Sequence, residues 1–147
     1  MRDLGLLLRT KLFERLNQTI TYNNKLVKCY DYTAVSTQAE APYILLGNFS
    51  STEIGEGSKQ SYGQECFHDI EIVTTFGNAY GGRYAADSIA DEVMQLIRTR
   101  QAGYLDLSPY WQCISVQVDN TTNLQELQNS EMVVRRIIRF RFNIYEI

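Results

Sequence analysis

Glu131 to Ile147 reads EMVVRRIIRFRFNIYEI, and its alternation decides the fold class. Met132, Val134, Ile138, Phe140, Phe142 and Ile144 fall on one side of an extended chain, and Val133, Arg135, Ile137, Arg139, Arg141 and Tyr145 on the other. Successive side chains of a strand point to opposite faces, so the segment predicts a long strand with one face turned to a core. Gln64 to Phe76 (QECFHDIEIVTTF) behaves the same way. Cys66, His68, Ile70, Ile72 and Phe76 share its apolar face; Glu65, Phe67, Asp69, Glu71 and Val73 share the other. The acidic pair Asp69/Glu71 and the basic pair Arg139/Arg141 have the same two-residue spacing, which predicts cross-strand ion pairing between the two strands.

Outward from these strands, Leu4, Leu8, Leu12 and Leu16 recur at every fourth position, the stripe of an amphipathic helix from Asp3 to about Asn17, with Asp3 as N-cap. TITYNN breaks that pattern, and Lys25 to Tyr32 and Tyr43 to Phe49 read as strands, the second of them apolar enough to be central. Ala86, Ile89, Ala90, Val93 and Ile97 mark a second helix from about Arg83 to Arg100. Cys113 to Val118 is a further strand; Ser36 to Ala41 and Asp119 to Ser130 read as polar linkers. Helix, three strands, helix and two strands predict an α+β fold, a two-layer sandwich of a mainly antiparallel sheet of four to five strands with two helices on one face. At 147 residues the chain predicts one domain, residues 1–147.

Ser50 to Gly63, SSTEIGEGSKQSYG, predicts a long polar loop, since it holds three of the nine glycines, four serines and one aliphatic residue, Ile54. It has too little apolar surface to offset its own ordering entropy, so Ser51 to Tyr62 reads as a docking loop ordered by a partner. Glu53, Glu56 and Lys59 would meet complementary charges there, Ser51 would lie at its start, and Ile54 would be its apolar anchor.

Composition narrows the chemistry. Fourteen basic against seventeen acidic residues give −3, which disfavours a protein held to nucleic acid by phosphate contacts. The charges are segregated: residues 1–30 carry +4, 31–71 carry −6, 72–130 carry −3 and 131–147 carry +2, a distribution able to steer like subunits together. Cys29, Cys66 and Cys113 match neither a disulfide framework nor a metal knuckle and suit a reducing compartment. The apolar run Leu6 to Leu8 is too short for a signal peptide or a membrane span. His68, the one histidine, has Cys66 beside it on its face but no third metal ligand nearby, and no glycine motif for phosphate is present. No catalytic residue, cofactor or metal is expected, and assembly is favoured over catalysis.

The order of several short segments carries a resemblance. These are Pro42, Tyr43, Ile44, Leu45, Leu46 and Gly47; Ser50, Ser51 and Thr52 with Lys59 downstream; Ala86, Ile89, Ala90, Asp91 and Val93 in the second helix; and Arg135, Arg139, Phe140 and Arg141 in the last strand. In that order the chain resembles the tail-completion, or tail-terminator, proteins of long-tailed bacteriophages, departing from them in the extended NTTNLQELQNS stretch. The resemblance implies a virion protein assembled in the host cytoplasm, forming a six-fold ring on the last ring of the tail tube. Such a ring stops tube growth and meets a neck or connector protein, while double-stranded DNA passes through its lumen without being read; no membrane is involved. A connector or stopper subunit of the neck is the alternative within virions, and a small cytoplasmic α+β enzyme the alternative from another class.

Overall fold

The computed structural model describes residues 2–31, 41–54, 62–76, 82–99, 103, 105–128 and 131–147. Its elements run α1 (Gly5–Leu16), β1 (Thr21–Tyr22), β2 (Lys25–Leu26), β3 (Lys28–Asp31), β4 (Tyr43–Ile54), β5 (Gly63–Phe76), α2 (Gly82–Ile97), β6 (Trp111–Gln128) and β7 (Glu131–Glu146). A five-stranded sheet has the order β3-β4-β5-β7-β6, antiparallel except for the β3/β4 pair, and β1 with β2 forms a separate hairpin. The α+β sandwich expected from periodicity is the observed one.

The core lies between the helices and one face of the sheet. Leu4, Leu8, Leu12 and Leu16 are fully buried, as are Ile70, Ile72, Ile138, Phe140, Phe142 and Ile144 beneath them, joined by Ile89, Val93 and Ile97 of α2. Asp3 acts at the start of α1 through its carboxylate, which accepts the Gly5 N–H at 2.9 Å, although Leu4 occupies the cap position. The other helix end is tied to the sheet edge: the Asn17 side-chain oxygen accepts the Cys29 N–H at 3.0 Å. Where β4 meets β5 the register shifts between Leu46 and Phe49, and Gly47 sits so close to Asp69 that a Cβ there would lie 3.3 Å from the Asp69 Cβ. This bulge returns Phe49 to the core face, beside His68.

Five boundaries differ from expectation. The stretch read as a loop from Ser50 is strand as far as Ile54, pairing with β5 from Phe67 back to Gly63. The linker read from Asp119 is likewise strand, since β6 pairs with β7 without interruption from Asn120 to Gln128. In both cases the backbone ladder holds residues whose side chains bury little, a contribution that hydropathy does not register. The strand expected from Lys25 to Tyr32, of which Tyr32 lies outside the described residues, is not one strand, because Val27 turns into the core between β2 and β3. TITYNN contains β1 and the turn into β2, with Asn23 and Asn24 at φ 50° and 63°, the left-handed pair that a tight hairpin turn requires. The second helix ends at Ile97, short of Arg100, and Ser36 to Glu40 of the first expected linker lie outside the described residues.

Candidate functional site

The face of the sheet turned away from the helices carries the charged residues singled out in the sequence. On β5 these are Glu65, Asp69 and Glu71, with Phe67 among them; on β7, Arg135, Arg139 and Arg141. Arg135 donates to the Glu71 carboxylate at 2.7 Å, and this hydrogen bond, ahead of the pair's Coulombic attraction, raises the guanidinium's affinity for its proton. Arg139 stands opposite Asp69 in register, yet its ion pair is with Asp119 at 3.5 Å, and its guanidinium lies 4.5 Å over the Phe67 ring. Burial pushes the Asp69 carboxyl above its usual range, an effect that Arg139 only partly opposes. Arg141 hydrogen-bonds Gln117 and reaches Glu65 at 4.0 Å.

The expected pairing of the acidic and basic strands therefore exists with different partners. Glu71 takes Arg135, not Arg139; Arg141 takes Glu65, not Asp69 or Glu71. The Arg135–Glu71 and Arg141–Glu65 pairs fall within the expected pairing of the acidic face of residues 65–73 with the basic face of 135–141; sequence reasoning missed Asp119 and Gln117, which come from the strand half read as a linker or without partners. On the helix side Arg136 forms an additional bridge to Asp87 of α2 at 2.9 Å, clamping helix to sheet.

Ser51, Glu53 and Ile54 sit at the outer end of β4, opposite Cys66, Gln64 and Gly63. Ser51 and Glu53 are exposed there and Ile54 is half-buried. Glu56 and Lys59 lie outside the described residues. The structure thus gathers Asp69, Glu71, Arg139 and Arg141 on one sheet face, whereas Ser51 and Glu53, in register with Cys66 and Gln64, lie on the other face at the end of β4, next to Ile54.

Among the described residues, no nucleophile and base are brought together near His68. Its ring is fully buried against Phe49, with Nδ1 3.1 Å from the Asp69 carbonyl oxygen, and burial holds its pKa below the usual 6.5. The thiols are equally suppressed: burial pushes Cys29 and Cys66 up to about 12 and Cys113 to about 11, so none supplies a thiolate near neutrality. Among the described residues no group of three or more His, Cys, Asp or Glu is placed to hold a metal ion, and no helix is long and apolar enough to cross a membrane. A broad cleft of about 910 Å³ beside Trp111 and Cys113 is open to solvent, and the Arg98 side chain in it is already engaged with the Val116 carbonyl.

The buried imidazole gives a pH signature. Because the folded chain resists protonating His68 and the unfolded chain does not, the unfolded state takes up the proton first as pH falls. Stability is flat above about pH 6.5 on this account and declines below it, by at most about 1.4 kcal/mol per pH unit. Urea unfolding of wild type and His68→Leu between about pH 7.5 and about pH 5 will show the wild type losing stability relative to the variant. Parallel pH curves for the two would mean that His68 is solvated.

No family model matches the chain, and no curated protein matches it. Among solved structures, the chain is similar along nearly its whole length to a chain in the virion of a native gene transfer agent particle. The TM-score is 0.66 at 14% sequence identity, and the likeness covers 97% of this chain and 99% of the other. At that identity the likeness is one of fold.

Proposed function

We propose that the chain is a non-enzymatic structural protein of a phage-like virion. It caps the end of the tail tube as a ring of six copies, stops tube growth and presents the surface that joins tail to head or neck. The observation that carries this is the fold likeness to a virion chain, which covers 97% of this chain and 99% of that one. The order of the tail-terminator segments supports it. DNA would thread the lumen, and an acidic subunit suits that path because its net charge of −3 disfavours the phosphate contacts that would make DNA stick. Its partners would be its own copies, the tube protein below and a neck protein above.

Negative-stain images of purified protein at high concentration should show rings with an open centre, and particles made without it should carry tails of unregulated length detached from heads. Tails of normal length that fail only to hold DNA or meet heads would move the protein to the neck as a connector or stopper.

The docking role assigned to the stretch between β4 and β5 now narrows to residues 55–61, since Ser51 to Ile54 belong to the ladder. Replacing residues 55–61 by a Gly-Ser bridge of the same length should leave a folded, soluble protein and abolish the joining of tails to heads. Particles assembled at normal yield by that variant would reduce the segment to a connection.

A further inference from the structure

The positive charge concentrated in residues 1–30 is mostly matched inside the subunit. Arg9 pairs with Asp31 at 3.3 Å and Lys11 with Glu14 at 3.5 Å, Arg15 donates to the Leu96 carbonyl at 3.2 Å, and Arg2 lies 3.8 Å over the Tyr110 ring. Lys25 and Lys28 remain, both exposed and without an ion pair among the described residues. They stand where the β1/β2 hairpin runs into β3 and border one recess, with Leu26 between them 55% exposed. The hairpin is anchored at its base: Val27 is buried, its N–H donates to the Ile20 carbonyl at 2.8 Å, and its carbonyl accepts the Gln18 N–H at 3.1 Å. The lysines therefore project from a fixed backbone.

The opposite surplus lies on α2. Ala86, Ile89, Ala90, Val93 and Ile97 bury its inner face, which leaves Tyr84, Asp87, Asp91, Glu92 and Gln95 exposed on the outer one. Tyr84, Ser88, Asp91 and Gln95 follow one another at helical spacing and form a single stripe. Asp87 is held by Arg136. Asp91 accepts a hydrogen bond from Gln95 of its own helix at 2.8 Å, and neither it nor Glu92 has an ion pair among the described residues. Arg83, the one cation of the helix, lies about two turns before Asp91.

The hairpin leads directly into β3, the edge strand at one side of the sheet, whereas α2 packs on β5 and β7, toward the other side. One subunit thus carries unmatched lysines on one flank and unmatched carboxylates on the opposite one. We infer that the β1/β2 hairpin of one copy docks on the outer face of α2 of a second copy, with Lys25 and Lys28 meeting Asp91 and Glu92 and Leu26 lying against Tyr84. The inference rests on the proposal that copies of the chain form a ring, and it names the two surfaces that meet. Hairpin against hairpin would set lysine against lysine, and α2 against α2 carboxylate against carboxylate; such juxtapositions repel. Joining two different surfaces is a head-to-tail contact, which closes into a ring where its rotation permits, whereas a two-fold contact stops at a dimer. Each copy's surplus charge is then cancelled by its neighbours, and at low salt the attraction steers subunits into register.

Charge reversal on the full chain tests the pairing. Lys25→Glu/Lys28→Glu makes both surfaces acidic, and Asp91→Lys/Glu92→Lys makes both basic. Each variant should keep the wild-type circular dichroism and associate at least about tenfold more weakly in sedimentation velocity at low salt. Mixed in equal amounts, the two should associate again, because every junction of an alternating ring then joins opposite charges. The quadruple variant, with both surfaces inverted, should recover as well. Variants that weaken but recover neither on mixing nor in combination would overturn the direct contact, and variants that all form rings normally would overturn the choice of surfaces while leaving the ring intact. Weakening confined to the lysine variant, together with its loss of binding to a DNA duplex, would assign Lys25 and Lys28 to phosphate contacts and overturn the pairing with α2. A wild-type chain that stays monomeric at every concentration would overturn the ring with it.

Discussion

Truncating Phe140 to alanine will lower the free energy of unfolding by about 3 to 5 kcal/mol, the range for removing a fully buried phenylalanine. The residue stands at the centre of the sheet, opposite His68 on β5 and Val118 on β6, with its ring 6.4 Å from that of Phe142 and none of its surface exposed. Three strands and the helix layer meet there, so the neighbours have little freedom to collapse into the space left behind. Against a total of about 5 to 15 kcal/mol for a domain of ordinary stability, that loss will leave a substantial unfolded population in mild denaturant. Urea titration measures it directly, with Leu6→Ala as the control. Leu6 is 76% exposed on α1, and its truncation should stay within about 0.5 kcal/mol. A loss of less than about 1 kcal/mol at Phe140 would mean that β7 does not turn this face to the core.

The same residue shows what the sequence makes legible. The period-two alternation around Phe140 and the period-four leucines of α1 are both imposed by burial on one side, so they survive in the sequence as pattern. Asn120 to Leu127 and Ser50 to Glu53 are strands held by backbone hydrogen bonds, with side chains that bury little, so no pattern records them. The β1/β2 hairpin is too short for any period, and only Asn23 and Asn24 mark it, through their tolerance of positive φ. Of the candidate site, its members on β5 and β7 and their shared face were legible. Their partners were not, because Asp119 and Gln117 reach the site only once β6 is known to lie on the far side of β7.

That limit is sharpest at Glu71. It stands opposite Ile137 in register, which places Arg135 and Arg139 two residues to either side on the same face. Sequence spacing cannot choose between them. The structure does: Arg139 is held by Asp119 and by the ring of Phe67, and Arg135 alone reaches Glu71, at 2.7 Å. The Glu71 side chain is 11% exposed and the Arg135 side chain 28%, so the bond is partly shielded from water and salt. Hydrogen bonds to charged groups contribute about 1.5 to 3 kcal/mol, and the remaining exposure of Arg135 places this one toward the lower end. A double-mutant cycle on Glu71→Ala and Arg135→Ala should therefore give a coupling of about 1 to 2 kcal/mol that largely survives in 0.5 M salt. The parallel cycle on Glu71 and Arg139 should stay below about 0.5 kcal/mol, as should one on Glu65 and Arg141, whose 4.0 Å pair is more exposed on both sides. Either single substitution at the Glu71 and Arg135 pair strands a half-buried charge, so each alone should cost more than the double variant adds. Coupling of Glu71 to Arg139 in place of Arg135 would show that Arg139 leaves Asp119 in solution. The β6 strand would then be held to β7 without that bridge, and the charge on its exposed edge would be larger than the ion pair now leaves it.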